Sequence, residues 1–194
     1  ICEEKKYNAI HLPINLGIGA AVQTGYLYAI ENGYDIAIQI DGDGQHDPSH
    51  LYDLVNPLED GTIDFVIGSR FLHKLGFRST FARRIGIAIL SSIVYMLTGK
   101  KIHDITSGFR AVNKPVLELF ANHYSKDFPE PDSIITAIKS GYRVLEIPVI
   151  MRDRVNGNSS IHFLKSIYYM IKVTASLILT SLEFNNVNQN GETV

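Results

Sequence analysis

Short strand-like runs and helix-like stretches alternate along this chain, and that alternation limits the folds open to it more than any other feature. The segments 7–12, 35–40, 64–68 and 143–150 are rich in Ile, Val, Leu, Phe and Tyr and are bounded by Gly, Asp, Asn or Pro, which predicts strands. Between them the apolar residues take helical spacing. Ile18, Val22, Tyr26 and Ala29 share one face of a helix predicted over 15–31, with Asn32-Gly33 as its stop. Asp47-Pro48 supplies an N-cap and a first-turn proline for a helix to Glu59. Further helices are predicted over 79–97, from 113, after Asp132 to Ser140, and over 161–182, with a short strand following the loop 104–110. Pro148 marks the last strand as an edge or an irregular one. This order predicts an α/β fold, a mostly parallel sheet flanked by helices. The chain reads as one domain over 1–184, followed by a polar tail at 185–194 that is expected to be disordered.

With 194 residues, 45% hydrophobic and 20% charged, the chain can bury one proper core. A net charge of −2 gives no electrostatic footprint for nucleic acid. The single cysteine, Cys2, excludes a disulfide within the chain and a cysteine-based zinc site, and it fits a reducing compartment. The longest uncharged stretch, Ile85 to Gly99, is too short to cross a bilayer and contains Ser91, Ser92, Tyr95 and Thr98. It predicts a buried or interfacial helix.

The strand at 35–40 runs into Asp41-Gly-Asp43-Gly-Gln45-His46-Asp47-Pro48. In open α/β sheets, ligands gather at the carboxyl ends of strands. Two carboxylates two residues apart on glycine-loosened backbone can converge on one cation. Hard oxygen donors suit Mg²⁺ or Mn²⁺, and such sites commonly hold substrate phosphates. The same residues also make an ordinary polar turn, in which His46 and Asp47 shape the turn and cap the next helix. Asn15, Gly17 and Gly19 open a helix whose N–H groups can receive a phosphate, or form a plain glycine-rich helix entry. Arg70 ends the strand 64–68; its guanidinium can fork to a phosphate or hold Asp41 or Asp104 in a structural ion pair.

Six motifs occur in a fixed order: Asn-Leu-Gly-x-Gly-Ala-Ala at 15–21, the acidic segment at 41–48, Gly-Ser-Arg-Phe at 68–71, Thr-Ser-Gly-Phe-Arg at 106–110, Pro-Glu-Pro-Asp at 129–132 and Ser-Gly-Tyr-Arg-Val-Leu-Glu-Ile-Pro-Val at 140–149. Together they resemble family-2 glycosyltransferases of the nucleotide-diphospho-sugar transferase (GT-A) fold. Within that family the sequence is most similar to the bacterial and archaeal branch related to dolichyl-phosphate mannose synthase. The resemblance covers residues 7–182.

The resemblance implies a metal-dependent inverting transfer from a nucleotide-diphosphate sugar to a polyprenyl phosphate or a cell-surface glycan. It implies that Asp41, Asp43 and Gln45 hold the divalent metal, Mg²⁺ or Mn²⁺. It places Asn15, Gly17, Gly19, Asp41, Arg70, Arg152 and Arg154 around the donor, with Arg152 and Arg154 on a loop that closes over phosphate. Glu130 stands eleven residues before Gly141, the family's spacing for a catalytic carboxylate, so Glu130 or Asp132 is the expected general base. Where the family carries a Glu-Asp pair, this chain has Pro-Glu-Pro-Asp. Both carboxylates also suit the start of a helix, and a polyprenyl phosphate, already anionic, needs no base.

Family members begin with two strands bearing Pro-x-x-Asn-Glu and Asn-Asp-Gly-Ser motifs, and neither occurs here. The chain is therefore expected to start late in the second helix, without roughly fifty residues of such a domain. The expected location is the cytoplasm, at the inner face of the cell membrane. The last helix, with Lys165, Tyr168, Tyr169 and Lys172, either lies on that membrane or packs on its own core. Two rival readings are a sugar-phosphate nucleotidyltransferase of related fold and a non-catalytic nucleotide-sugar-binding fragment.

Overall fold

The computed structural model describes residues 4–72, 81–152 and 163–190. Its elements are α1 (Ile18–Glu31), β1 (Ile36–Gln39), a 3₁₀ turn (Pro48–His50), α2 (Leu51–Glu59), β2 (Phe65–Ser69), α3 (Phe81–Thr98), β3 (Arg110–Asn113), α4 (Lys114–Asn122), α5 (Pro129–Lys139), β4 (Val144–Pro148) and α6 (Phe163–Asn190). The local signals act where expected. Asp47 accepts the Ser49 N–H at 3.1 Å and Asn113 accepts the Val116 N–H at 3.3 Å, each capping the helix that follows. Gly33, at φ 72°, takes the left-handed backbone that ends α1. Pro129 and Pro131 lie inside the first turn of α5, where no intrahelical N–H is lost. α6 continues to Asn190.

The four strands form one sheet in the order β1-β3-β2-β4. β1, β2 and β4 share one direction; β3 lies antiparallel between β1 and β2, and β2 pairs with β4 in parallel. The expected mostly parallel sheet is thus a mixed one. The cause is where the chain re-enters it. Gln39 of β1 and Ile67 of β2 both face Arg110, the first residue of β3. The chain returns at the end where those two strands finish, and so must run the other way. β4 is an edge strand of this sheet, as Pro148 foretold.

Residues 7–12 form no strand. No strand of the described sheet lies beside them to take their N–H and C=O groups, and Tyr7 and Ile10 are exposed.

Both faces of the sheet are covered. Phe65, Ile67, Val112 and Val144 face a large cluster with Leu90 and Val94 of α3, Leu117 and Phe120 of α4, Ile134 of α5 and Val173 and Leu177 of α6. Val66 and Ala111 face a smaller cluster with Leu54 and Leu58 of α2, Val149 and Met151. β2 is therefore buried along its whole length, the mark of a central strand between two layers.

The end where β2 and β4 begin is closed by charge. Asp64 accepts from the Arg143 backbone N–H at 2.8 Å, from Arg143 Nε at 2.9 Å and from Asn113 Nδ2 at 2.9 Å. The Arg143 hydrogen bonds hold the Asp64 carboxyl below its usual range, against the opposing pull of burial. The site lies at the other end.

Candidate donor-binding site

Asp41 follows directly on β1, at the strand's carboxyl end. Its backbone N–H donates to His46 Nδ1 at 3.0 Å. The His46 side chain is only 4% exposed, and its ring stacks on Phe109 with centroids 4.7 Å apart and planes 9° apart. Burial lowers the His46 pKa against the pull of Asp41 and Asp43. Gly108 stands against the Asp41 carboxylate, where a Cβ would lie 2.9 Å from Asp41 Oδ2. That approach is the reason a glycine stands there. The Asp41 side chain is still 41% exposed. Asp43 Oδ1 accepts the Gln45 N–H at 3.0 Å in a tight Asp turn, and Gly44 takes the left-handed φ of 77° that this turn needs.

A second wall joins the acidic loop to the segment after β4. His46 forms a β-bridge with Met151, the Arg152 N–H donates to the Gln45 carbonyl at 2.9 Å, and the Ile150 N–H donates to His50 Nε2 at 3.1 Å. Arg152 itself pairs with Asp47 at 2.9 Å. The structure thus brings Asp41, Asp43, Gln45 and Arg152 together. Arg154 lies outside the described residues.

Arg70 is committed to protein. Its Nε and Nη2 make a fork to Asp104 at 2.7 and 2.6 Å, and Nη2 also reaches Thr106 at 2.8 Å. Asp104 has no exposed side-chain surface. Glu146 of β4 completes the assembly by accepting the Asp104 N–H at 2.7 Å and the His103 N–H at 2.7 Å. Of the readings open to Arg70, the geometry matches the structural ion pair with Asp104.

The start of α1 meets the loop before α5. Asn15 Oδ1 accepts the Gly17 N–H at 3.0 Å, and Gly17 has φ 87°. A Cβ at Gly19 would overlap the backbone of Ser125 and Lys126. Gly19 is therefore required by close packing of α1 against the loop that leads into Glu130. Glu130 is half-buried in the first turn of α5. Asp132 is buried and turned toward α6, where the Ser176 hydroxyl donates to its Oδ2 at 2.7 Å, while its Oδ1 has no hydrogen-bond partner among the described residues. Burial pushes the Asp132 carboxyl above its usual range. It lines a cavity of about 320 Å³ together with Ser125, Thr136, Ser176 and Thr180.

Three contributors were not singled out in the sequence reading. His46 was expected to shape a turn and cap the next helix, yet it holds Asp41. Glu146 anchors the 103–104 loop. Arg110 is 1% exposed; it bonds the Ser107 carbonyl and the Ser133 hydroxyl at 2.6 Å, tying the loop beside Asp41 to α5. Its signal in the sequence is a charged residue inside the apolar run Phe109–Val112.

The donor set beside Asp41 is all oxygen: two carboxylates and the Gln45 amide. Among the described residues no group of three His, Cys, Asp or Glu side chains forms a complete metal cage. Oxygen donors of this kind suit a hard cation of the Mg²⁺ or Mn²⁺ type, which is commonly held by one or two carboxylates with the rest of its shell from water and substrate phosphate.

A family model, glycosyl transferase family 2, matches residues 1–120, and the chain belongs to that family. It is 30% identical over 163 residues to polyprenol monophosphomannose synthase of Mycolicibacterium smegmatis, covering 82% of this chain and 61% of that protein. It is 31% identical over 147 residues to UDP-N-acetylglucosamine–dolichyl-phosphate N-acetylglucosaminyltransferase of Methanococcus voltae, covering 74% and 59%. With undecaprenyl-phosphate mannosyltransferase of Micrococcus luteus it shares 28% identity over 161 residues, 81% of this chain and 65% of that one. The chain spans about three fifths of the length of these curated relatives. Its structure matches glucosyl-3-phosphoglycerate synthase from Mycobacterium tuberculosis with a TM-score of 0.60 at 19% identity, over 89% of this chain and 56% of that chain. The likeness is one of fold: an α/β, GT-A-like architecture.

Proposed function

We propose that this chain is part of the catalytic domain of a metal-dependent, inverting glycosyltransferase that moves a sugar from a nucleotide-diphosphate donor to a polyprenyl phosphate. The observation that carries the reading is the acidic loop. Asp41 sits at the end of a strand, backed by His46 and Gly108, with its carboxylate open to solvent, and Asp43 and Gln45 follow in the same turn. Asp41, Asp43 and Gln45 would hold the cation. A bound Mg²⁺ or Mn²⁺ supplies positive charge that neutralises the departing nucleoside diphosphate. Asn15 and Gly17 at the start of α1 flank the donor. Arg152 leaves its pair with Asp47 to meet a donor phosphate, and Arg154 is assigned to the same donor. Arg70 acts indirectly, by fixing the 104–106 loop.

The relatives, which are named for polyprenol-linked phosphates, support this choice of acceptor. A phosphate acceptor is already a nucleophile, so Glu130 orients it and a glycan acceptor becomes the alternative outcome of the assay. Asp132, turned toward Ser176, supports Glu130 from behind.

A lipid acceptor also requires approach to a membrane. No helix among the described residues is long and apolar enough to cross one. α3 and α6 pack on each other, and they expose Ile85, Ile89, Tyr95 and Met96 on one and Tyr168, Ile171, Leu179 and Leu182 on the other. We place this face on the inner leaflet, as a peripheral contact.

The test is transfer of labelled sugar from UDP- and GDP-sugars to polyprenyl phosphate, with Mn²⁺ and with chelator. Metal-dependent label in the lipid phase is the expected result. Pyrophosphate released from a nucleoside triphosphate and a sugar phosphate would show the nucleotidyltransferase instead. Absence of any metal-dependent nucleotide binding would show a fragment without donor function.

A further inference from the structure

The acidic loop contains two glycines, Gly42 and Gly44, between its carboxylates and the next anchored residue. Such backbone loses much conformational freedom on becoming fixed. Something must hold it if its carboxylates are to meet a ligand already in place. The Asp43–Gln45 turn orders the far side of the loop. It does not reach Asp41.

His46 does. Two contacts fix its ring, the stack on Phe109, a residue with no exposed surface, and the bond from Asp41, while the bridge to Met151 holds its backbone. The bond also fixes the tautomer. Nδ1 accepts the Asp41 N–H at 3.0 Å, so Nδ1 is bare and the proton of the neutral ring sits on Nε2. Nε2 lies 3.8 Å from Asp41 Oδ2, too far for a hydrogen bond but close enough to wall that side of the carboxylate. Gly108 lies against the same carboxylate, and the Asp41 side chain is still 41% exposed.

We infer that His46 is the positioning residue of the donor site: its bare Nδ1 pins the Asp41 backbone, and its Nε2–H edge backs the Asp41 carboxylate, so the loop presents Asp41 outward before any ligand arrives. The inference rests on the reading of Asp41 and Asp43 as ligands of the cation and diphosphate. Its energetic content is preorganisation. Without the hold, the loop must be ordered at the moment of binding, and affinity falls by that cost.

Two substitutions separate the ring's packing from its bonding. His46→Phe keeps the stack on Phe109 and the burial but removes the acceptor. His46→Asn loses the stack but keeps an acceptor oxygen near the position of Nδ1. Each is measured in the full chain in two ways: exchange of the Asp41 amide by NMR without metal, and calorimetric titration of GDP and UDP in the presence of Mn²⁺. In His46→Phe the Asp41 amide is expected to lose protection and the Mn²⁺-dependent Kd to rise about tenfold, with no fall in melting temperature. In His46→Asn, which keeps the acceptor but lacks the Nε2–H edge, the amide stays protected and the Kd rises less than in His46→Phe, while the melting temperature drops. A His46→Phe protein that keeps either the protected amide or the wild-type Kd overturns the inference, and so does a His46→Asn protein that is folded yet loses as much affinity as His46→Phe. If the wild-type chain binds neither nucleotide with Mn²⁺, the ligand reading fails by itself. The Asp41 amide then still decides whether His46 holds the loop.

Discussion

The two ends of the sheet carry aspartates in opposite states. At the end where β2 and β4 begin, Asp64 is fully engaged by Arg143 and Asn113, and its carboxyl titrates below its usual range. At the other end Asp41 is held by its backbone and walled by a ring and a glycine, with its carboxylate facing water. A carboxylate spent on a protein cation is structural. One that is fixed by its backbone and left to solvent can receive a cation from outside. The same end also contains closed examples: Asp104 is locked to Arg70 and Asp132 is buried under α6. Openness, and not residue type, therefore separates the candidate ligands from the scaffold.

The strongest way to break this contrast is Asp43→Ala. Calorimetry with Mn²⁺ and a nucleoside diphosphate should show affinity weakened about a hundredfold or more, roughly 2.7 kcal/mol, with the melting temperature nearly unchanged. Unaltered affinity would remove Asp43 from the ligand set. At the closed end, Asp64→Ala should do the reverse. It removes charge-assisted hydrogen bonds and costs about 2 kcal/mol by denaturant titration, while nucleotide affinity at saturating fold stays intact. The pH dependence has a definite sign. With its folded pKa depressed, Asp64 contributes stability that is present above the unfolded carboxylate value of about 3.9 and lost as the pH falls through the folded value. The acid limb of the stability curve should thus flatten in Asp64→Ala.

Gly108→Ala sharpens the contrast from within the site. Its Cβ would press on Asp41 Oδ2, so metal-dependent binding should weaken about tenfold, a cost of about 1.4 kcal/mol. Equal binding by wild type and variant would mean that Asp41 need not occupy its observed place. The smallest effect is expected at Asp132. Its folded pKa is raised by burial, so the ionised carboxylate destabilises the fold once the pH rises above the unfolded value of about 3.9. Asp132→Asn should raise the melting temperature by a few degrees at neutral pH, and the gain should vanish below about pH 4. A gain that persists in acid would show that packing, and not charge, is the cause.

Much of this architecture was legible in the residues. The capping role of Asp47, the helix start at Asn113, the stop at Gly33 and the edge position announced by Pro148 depend on neighbours within a few positions, and they stand as read. The acidic segment at a strand's end was legible for the same reason. The strand expected over 7–12 was not realised, because a strand is completed only by a partner that its own sequence does not name. The antiparallel entry of β3 was hidden in the same way: the run Arg110–Asn113 looks alike in either direction. Gly19 could open a phosphate-receiving helix start or a plain glycine-rich helix entry; its close packing against Ser125 and Lys126 was not legible, because those residues lie far along the chain.

By itself the sequence determined the alternation of elements, their caps and the order of motifs that places this chain in glycosyl transferase family 2, since these rest on local chemistry and spacing. The tertiary structure alone decided which charges are spent and which are free to act. Arg70 could have faced a phosphate, yet it closes on Asp104 across 34 positions. His46 was expected to shape a turn and cap the next helix, yet its ring stacks on Phe109 and accepts the Asp41 N–H. Whether a polar group is scaffold or ligand depends on what the fold sets against it, and those partners come from distant parts of the chain.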